Sequence, residues 1–258
     1  MSDRALLEEQ YGTTSNLRAR IALHERFSTN PGSYACWVFD GYDFGDVADV
    51  LEVGCGDGMI WRENADRIPD GWTLTLTDFS EAMVEAAGGV LGDRAQYTVA
   101  SVEDLPFADH AFDGVIANHM LFHVEDRAGA FAELRRVLRA GGRLVATTVG
   151  REHLRELRAL YPPGDGIWAK TRERFTIERA PDELAPYFTE IEIERYPDSL
   201  AVTEAGAIVD FVRSRGDVTA EQLEDVRARV EEVIGRDGSF RLQGHGAGRG
   251  AQALTHLC

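Results

Sequence analysis

Short apolar runs alternate with helix-spaced patterns from Asp49 to Val149, and this alternation sets the expected fold. Val50, Leu51 and Val53 form the β-branched, apolar run that a strand buried on both faces needs. The run breaks into Gly54-Cys55-Gly56-Asp57-Gly58, and helical spacing follows to about Ile68, where Pro69-Asp70-Gly71 stops it. Residues 72–77 alternate strictly and end at Asp78, which reads as a second strand. Ser80 stands where it can cap the next helix, which carries Ala82, Met83, Ala86 and Ala87 before Gly88-Gly89. Further strands are predicted near 96–100, 113–117 and 144–149, with a helix capped by Asp126 between the last two. Five strands alternating with helices predict an α/β fold, a doubly wound, mostly parallel sheet with right-handed connections.

The flanks are less regular. Residues 3–29 read as helix, marked by Leu6, Leu7, Leu17, Ile21, Leu23 and Phe27 and broken near Gly12-Thr13-Thr14. A short aromatic helix with Tyr34, Trp37 and Phe39 follows Asn30-Pro31-Gly32. Beyond Val149 the pattern predicts a helix over 151–160, a Pro162-Pro163-Gly164 loop and a sixth strand holding Ile191, Ile193 and Tyr196. Helices near 204–214 and 219–234 come next, and Ser239 to Gln243 is the candidate seventh strand before a glycine-rich tail.

Composition narrows the classes of partner. At 258 residues and 44% hydrophobic, the chain has ample core for one domain with a modest cover. The formal net charge of -17 repels phosphate backbones and anionic membranes, so neither nucleic acid nor membrane is expected as a partner. Cys36, Cys55 and Cys258 form no CxxC pair, which offers neither a disulfide framework nor a zinc site. No run approaches the ~20 apolar residues of a membrane span, and a soluble, cytoplasmic protein is expected.

The chemistry centres on the first glycine turn. A strand turning through glycines into a helix offers backbone N–H groups and a positive helix end to a ligand. The dinucleotide fingerprint G-x-G-x-x-G would need glycine at Met59, which weakens a dehydrogenase reading. The pattern present is E-x-G-x-G-x-G, from Glu52 to Gly58, and the acid Asp78 at the tip of the second strand can accept both hydroxyls of a ribose. With Asp78-Phe79, Asp104-Leu105-Pro106-Phe107, Phe112-Asp113 and Val137 through Gly142, this order and spacing resembles class I (Rossmann-like) S-adenosylmethionine-dependent methyltransferases, the small-molecule subgroup.

The resemblance implies a seven-stranded sheet with helices on both faces and S-adenosylmethionine (SAM) as cofactor. It also implies three parts: an N-terminal helical lid over 1–45, a SAM-binding core over 46–150, and a stretch over 151–258 that completes the sheet and covers the substrate site. The cofactor site it implies is Glu52, Gly54, Cys55, Gly56, Gly58, Trp61, Asp78, Phe79, Met83, Ser101, Val102, Glu103, Asn118, His119 and His123. The expected reaction is metal-independent methylation of an O, N or C atom of a small metabolite, as in secondary metabolism. A cyclising or decarboxylating enzyme on the same fold, or a SAM-binding protein without turnover, are the alternatives.

Methyl transfer to an alcohol or ammonium needs a base. His119, directly after the fourth strand, is the first candidate, with an unperturbed pKa of about 6.5 that predicts an ascending pH limb near neutrality. His24 on the N-terminal helix is the rival. His123 falls on the same helical face as His119 if the helix starts at once, and Arg18 or Arg20 is placed to meet the cofactor carboxylate. Two histidines make a poor zinc site, and no metal is expected.

Overall fold

The computed structural model describes residues 11, 14–161, 174–216, 218–244 and 247–250. Residues 3–10 of the helix predicted over 3–29, its break at Gly12-Thr13 and the proline loop after Tyr161 lie outside the described residues.

Five parallel strands form the centre: β1 (Val47–Val53), β2 (Gly71–Asp78), β3 (Ala95–Val99), β4 (Phe112–Asn118) and β5 (Leu138–Val149). Their spatial order is β3-β2-β1-β4-β5, so the chain runs outward to one edge and then restarts beside β1. That reversal opens a crevice at the carboxyl ends of β1 and β4, where open α/β sheets bind ligands.

Alternation along each strand divides the core between two faces. Leu51, Val53, Val115, Ala117, Leu144 and Ala146 meet Phe131, Leu134 and Val137 of helix α5 (Arg127–Val137). Their neighbours Val50, Ile116 and Val145 meet the other face, under helices α2 (Tyr34–Phe39), α3 (Met59–Asn64) and α4 (Glu81–Leu91). Helices therefore cover both faces. A third cluster stands beside the sheet, where helix α1 (Ser15–Phe27) packs Leu23 and Phe27 against Leu200, Val202, Ile208 and Val212.

Several expectations need correction. The candidate seventh strand, Ser239 to Gln243, lies outside the main sheet. Phe240–Gly244 (β8) pairs antiparallel with Asp198–Val202 (β7) in a separate two-stranded sheet. Ala247–Gly250 (β9) runs antiparallel beside β5, with the short Ile193–Arg195 (β6) outside it. Apolar alternation in residues 239–243 serves the third cluster, through Phe240 and Leu242, rather than the main sheet. The helix predicted over 151–160 shrinks to α6, Arg155–Arg158, after Leu154 enters the left-handed region at φ 50. Ser80 makes no side-chain cap to α4; its hydroxyl donates to the Tyr11 carbonyl at 2.9 Å instead. Asp126 does cap α5, accepting from Gly129 N–H at 2.9 Å. Helices α7 (Ala180–Leu184), α8 (Ala205–Arg213) and α9 (Ala220–Asp237) complete the described elements, the last closed by a Thr219–Gln222 capping box.

Candidate active site

The glycine turn leaves β1 with three residues in the left-handed region, Gly54 at φ 67, Gly56 at 55 and Gly58 at 73. Two of these positions are demanding. A Cβ on Gly54 would lie 2.7 Å from the Met120 side chain, and Gly56 brings bare backbone to the cavity beneath Leu17. Asp78 closes the turn from β2. Its carboxylate accepts from Gly56 N–H at 3.0 Å and Ser80 N–H at 2.9 Å, which leaves further lone pairs on both oxygens.

Glu52 sits at the inner end of the turn, 2% exposed. Trp61 Nε1 donates to one of its oxygens at 2.5 Å and Asn118 Nδ2 to the other at 2.9 Å. Burial pushes its pKa up to about 7, against the pull of those two donors, and Asp78 adds to the rise. Burial also raises the Asp78 pKa, opposed by the backbone N–H groups around it. Among the described residues neither carboxylate is paired with an arginine or lysine. Two buried acids without a cation are costly unless a positively charged ligand meets them. SAM carries an ammonium and a sulfonium, so the donor set suits it.

The chain then reverses at the end of β4. His119 adopts φ 49, a left-handed conformation that histidine tolerates better than most residues, while its N–H reaches Thr147. No helix starts there. A 3-10 turn over Leu121–His123 follows, and α5 begins only at Arg127, so His119 and His123 do not share an α-helical face. Both line the cavity all the same. Tyr34 Oη lies 2.6 Å from His119 Nε2, and Tyr11 Oη lies 2.9 Å from His123 Nε2. Burial drives the His119 pKa down to about 4 and that of His123 to about 3. The ascending limb near neutrality expected of His119 is therefore moved well into the acid range. The sequence pattern places His119 at the strand end but does not show that Tyr34 and Phe122 pack beside it.

One cavity of about 1280 Å³ joins these groups. Its wall includes Glu52, Gly54, Cys55, Gly56, Asp78, Phe79, Met83, Ser101, Val102, Glu103, Asn118, His119, His123 and His24. Two residues of the expected set are not on the wall. Trp61 is fully buried behind Glu52, and Gly58 packs against Ala87 where helix α3 begins. Cys55 is buried in the turn, with its thiol pKa raised by burial and the nearby acids, which keeps it protonated. Arg20 lines the cavity, and its guanidinium donates to Ser214 Oγ, the Ser214 carbonyl and Tyr11 Oη. Arg18 approaches Asp57 at 3.8 Å. The cavity adds residues that sequence reasoning missed as site residues: Tyr11, Tyr34, His153, Tyr196 and Asp198. Their separations in the chain carry no local signal. Among the described residues no group of three or more His, Cys, Asp or Glu is placed to hold a metal ion.

A doubly wound sheet, a glycine turn at its switch point and an acid on each of the first two strands fit the resemblance to class I SAM-dependent methyltransferases. Residues 51–146 match the family model described as a methyltransferase domain. The chain is 38% identical over 101 residues to the ubiquinone/menaquinone biosynthesis C-methyltransferase of Geotalea daltonii, covering 37% of this chain and 43% of that protein. It is 34% identical over 119 residues to the malonyl-[acyl-carrier protein] O-methyltransferase of Hahella chejuensis, covering 46% and 42%. The chain thus spans about two fifths of the length of these curated relatives. In fold it is similar to phosphoethanolamine N-methyltransferase 2 of Haemonchus contortus, crystallised with S-adenosyl-L-methionine. The TM-score is 0.63 at 17% identity, over 99% of this chain and 60% of that one. Residues 51–146 of this chain are thus similar to a methyltransferase domain, and the relatives matched there include a C- and an O-methyltransferase.

Proposed function

We propose that the protein transfers the methyl group of SAM to a small-molecule acceptor held in the same cavity. The observation that carries this reading is the continuity of that cavity. It runs from the glycine turn and Asp78 to a second wall built from residues outside the methyltransferase domain, among them His24, Tyr34, Tyr196 and Asp198. Its volume of about 1280 Å³ exceeds the ~300–1000 Å³ of ordinary ligand pockets, which supports two occupants side by side.

When bound, SAM supplies a methyl group already activated by its sulfonium. The protein's part is to hold, align and keep dry. Asp78 and Glu52 would hold the cofactor's hydroxyl and cationic groups, and Phe79, Met83 and the 101–103 turn would hold its base; all of them line the cavity. Asn118 keeps Glu52 in place, donating to it and to Tyr42 Oη while accepting from Thr147 Oγ1. Residues 1–45 act as a lid in this reading. Tyr11 contacts Phe79 edge-on, Leu17 lies over Gly56 and Tyr34 bonds His119. Residues 151–258 supply the rest of the acceptor wall. His119, neutral and bound to Tyr34, shapes the pocket where methyl and acceptor meet, and the reaction needs no metal.

The test is direct. Calorimetry should find SAM binding, and Asp78→Ala should weaken it by about 2 kcal/mol, roughly thirtyfold in Kd. Incubation with small-molecule pools should release S-adenosylhomocysteine and add one CH₂ to an acceptor. Unchanged affinity in a folded Asp78→Ala protein would overturn the cofactor assignment.

A further inference from the structure

Four histidines line the cavity. His119 and His123 each have Nε2 occupied by a tyrosine hydroxyl, at 2.6 and 2.9 Å. His153 lies flat against His24, ring centroids 5.6 Å apart and planes within 6°. His24 differs from these. It sits on α1 with its side chain 34% exposed, and its Nδ1 faces the Asp198 carboxylate at 4.0 Å.

The carboxylate is held in place for this. Ser28 Oγ donates to Asp198 Oδ1 at 2.7 Å, and Thr29 N–H donates to the Ser199 carbonyl at 2.8 Å. A bridge between Ser28 and Leu200 completes the staple that ties the end of α1 to β7. The Asp198 side chain is only 10% exposed. An imidazole whose Nδ1 faces a fixed carboxylate is oriented by it, which is what a general base needs. Two arginines of the same helix are committed elsewhere. Arg26 pairs with Glu204 at 2.7 Å, and Arg20 donates to Ser214.

The surrounding wall is aromatic. Tyr34 meets Tyr196 edge-on with centroids 5.3 Å apart, and both hydroxyls are already used, one on His119 and the other on the Gly32 carbonyl at 2.5 Å. Stacked and edge-on rings of this kind favour a planar aromatic guest.

We propose that His24 is the catalytic base, that Asp198 is its positioning residue, and that the acceptor is a phenol whose ring lies among Tyr34, Tyr196 and the His24–His153 stack. This rests on the methyl-transfer reading above. The phenol O–H bond breaks as its proton passes to His24 Nε2. The freed oxygen pair forms the C–O bond to the methyl group while the C–S bond breaks, its electrons staying on sulfur as S-adenosylhomocysteine. The imidazolium formed beside Asp198 then returns its proton to water.

The probe is 4-nitrophenol, which absorbs in the visible only as its phenolate. Protein saturated with S-adenosylhomocysteine is titrated with it at a pH below the probe's own pKa, with calorimetry run on the same samples. The expected result is binding accompanied by phenolate absorbance, lost in His24→Gln and reduced in Asp198→Asn, with both variants keeping S-adenosylhomocysteine affinity. Any phenol that supports turnover should lose about 10²–10⁴-fold in kcat in His24→Gln, with partial rescue by added imidazole. Binding without phenolate, no binding of the probe, or a His24→Gln protein that keeps the phenolate signal overturns the proposal. Failure of S-adenosylhomocysteine to bind the wild type would overturn the methyl-transfer reading instead, which separates the two.

Discussion

Glu52→Gln should change how stability depends on pH, and the size of the effect follows from the site. The Glu52 pKa stands near 7, up from an ordinary 4.5, because the carboxyl is buried. A raised acid pKa means that the folded protein keeps a proton which the unfolded chain has lost. Between pH 4.5 and 7 the native state therefore binds more protons, and stability falls as pH rises through that window. At about 1.36 kcal/mol for each pH unit between those two values, the full loss on reaching pH 7 to 8 is roughly 3 kcal/mol. Glutamine cannot ionise, and this contribution vanishes in the variant. Its own hydrogen bonds differ, since an amide cannot accept on both sides from Trp61 and Asn118, so the absolute stabilities are not the comparison. The comparison is the slope. Urea unfolding at several pH values should show wild type losing about 3 kcal/mol more than Glu52→Gln between the two ends. The same ionisation is linked to the cofactor, whose cationic groups favour the charged form. SAM binding to wild type near neutrality should release a proton, seen as a buffer-dependent calorimetric enthalpy, and the variant should not. Parallel pH profiles for the two proteins would refute both the burial argument and its link to binding.

The other predictions concern the histidines, the turn and the N-terminal helix. His119, held near 4, binds fewer protons than the unfolded chain between pH 6.5 and 4, so its contribution is intact at neutral pH and lost on acidification. His119→Gln should remove roughly 3 kcal/mol of that acid sensitivity in denaturation series, and an acid limb unchanged from wild type would count against it. Gly54→Ala must fit a Cβ 2.7 Å from Met120 at φ 67, so it should cost about 1–3 kcal/mol and abolish measurable SAM binding; a stable variant with normal affinity would contradict the turn geometry. Leu23→Ala should lower stability by about 2–4 kcal/mol, because Leu23 is buried in the cluster shared with Val212 and Leu200. By the same contact, deleting residues 1–30 should expose that cluster as well as the cofactor cavity, detected as dye binding by an otherwise folded sheet.

Reading the N-terminal helix as a simple cover misses half of what it touches. Apolar spacing at Leu17, Ile21, Leu23 and Phe27 announces an amphipathic helix but not its partner. The partner lies about 180 residues away, in α8 and β7, where Ser28 and Thr29 bind Asp198 and Ser199. Residues 239–243 mislead for the same reason. Phe240 and Leu242 alternate as any strand does, and only the third cluster decides that β8 pairs with β7.

What the sequence by itself determined is everything carried by local spacing. Five strands, the glycine turn, the acids Glu52 and Asp78, and His119 at the end of β4 follow from periods of two and 3.6 and from the φ values that only glycine adopts freely. The tertiary structure alone decided what those residues meet. It buried Trp61 behind Glu52, took Gly58 off the cavity wall, bound His119 to Tyr34 and carried its pKa down. It also brought His24 to Asp198 across 174 positions of the chain. Burial and long-range proximity depend on how the whole chain packs, and no short pattern encodes them.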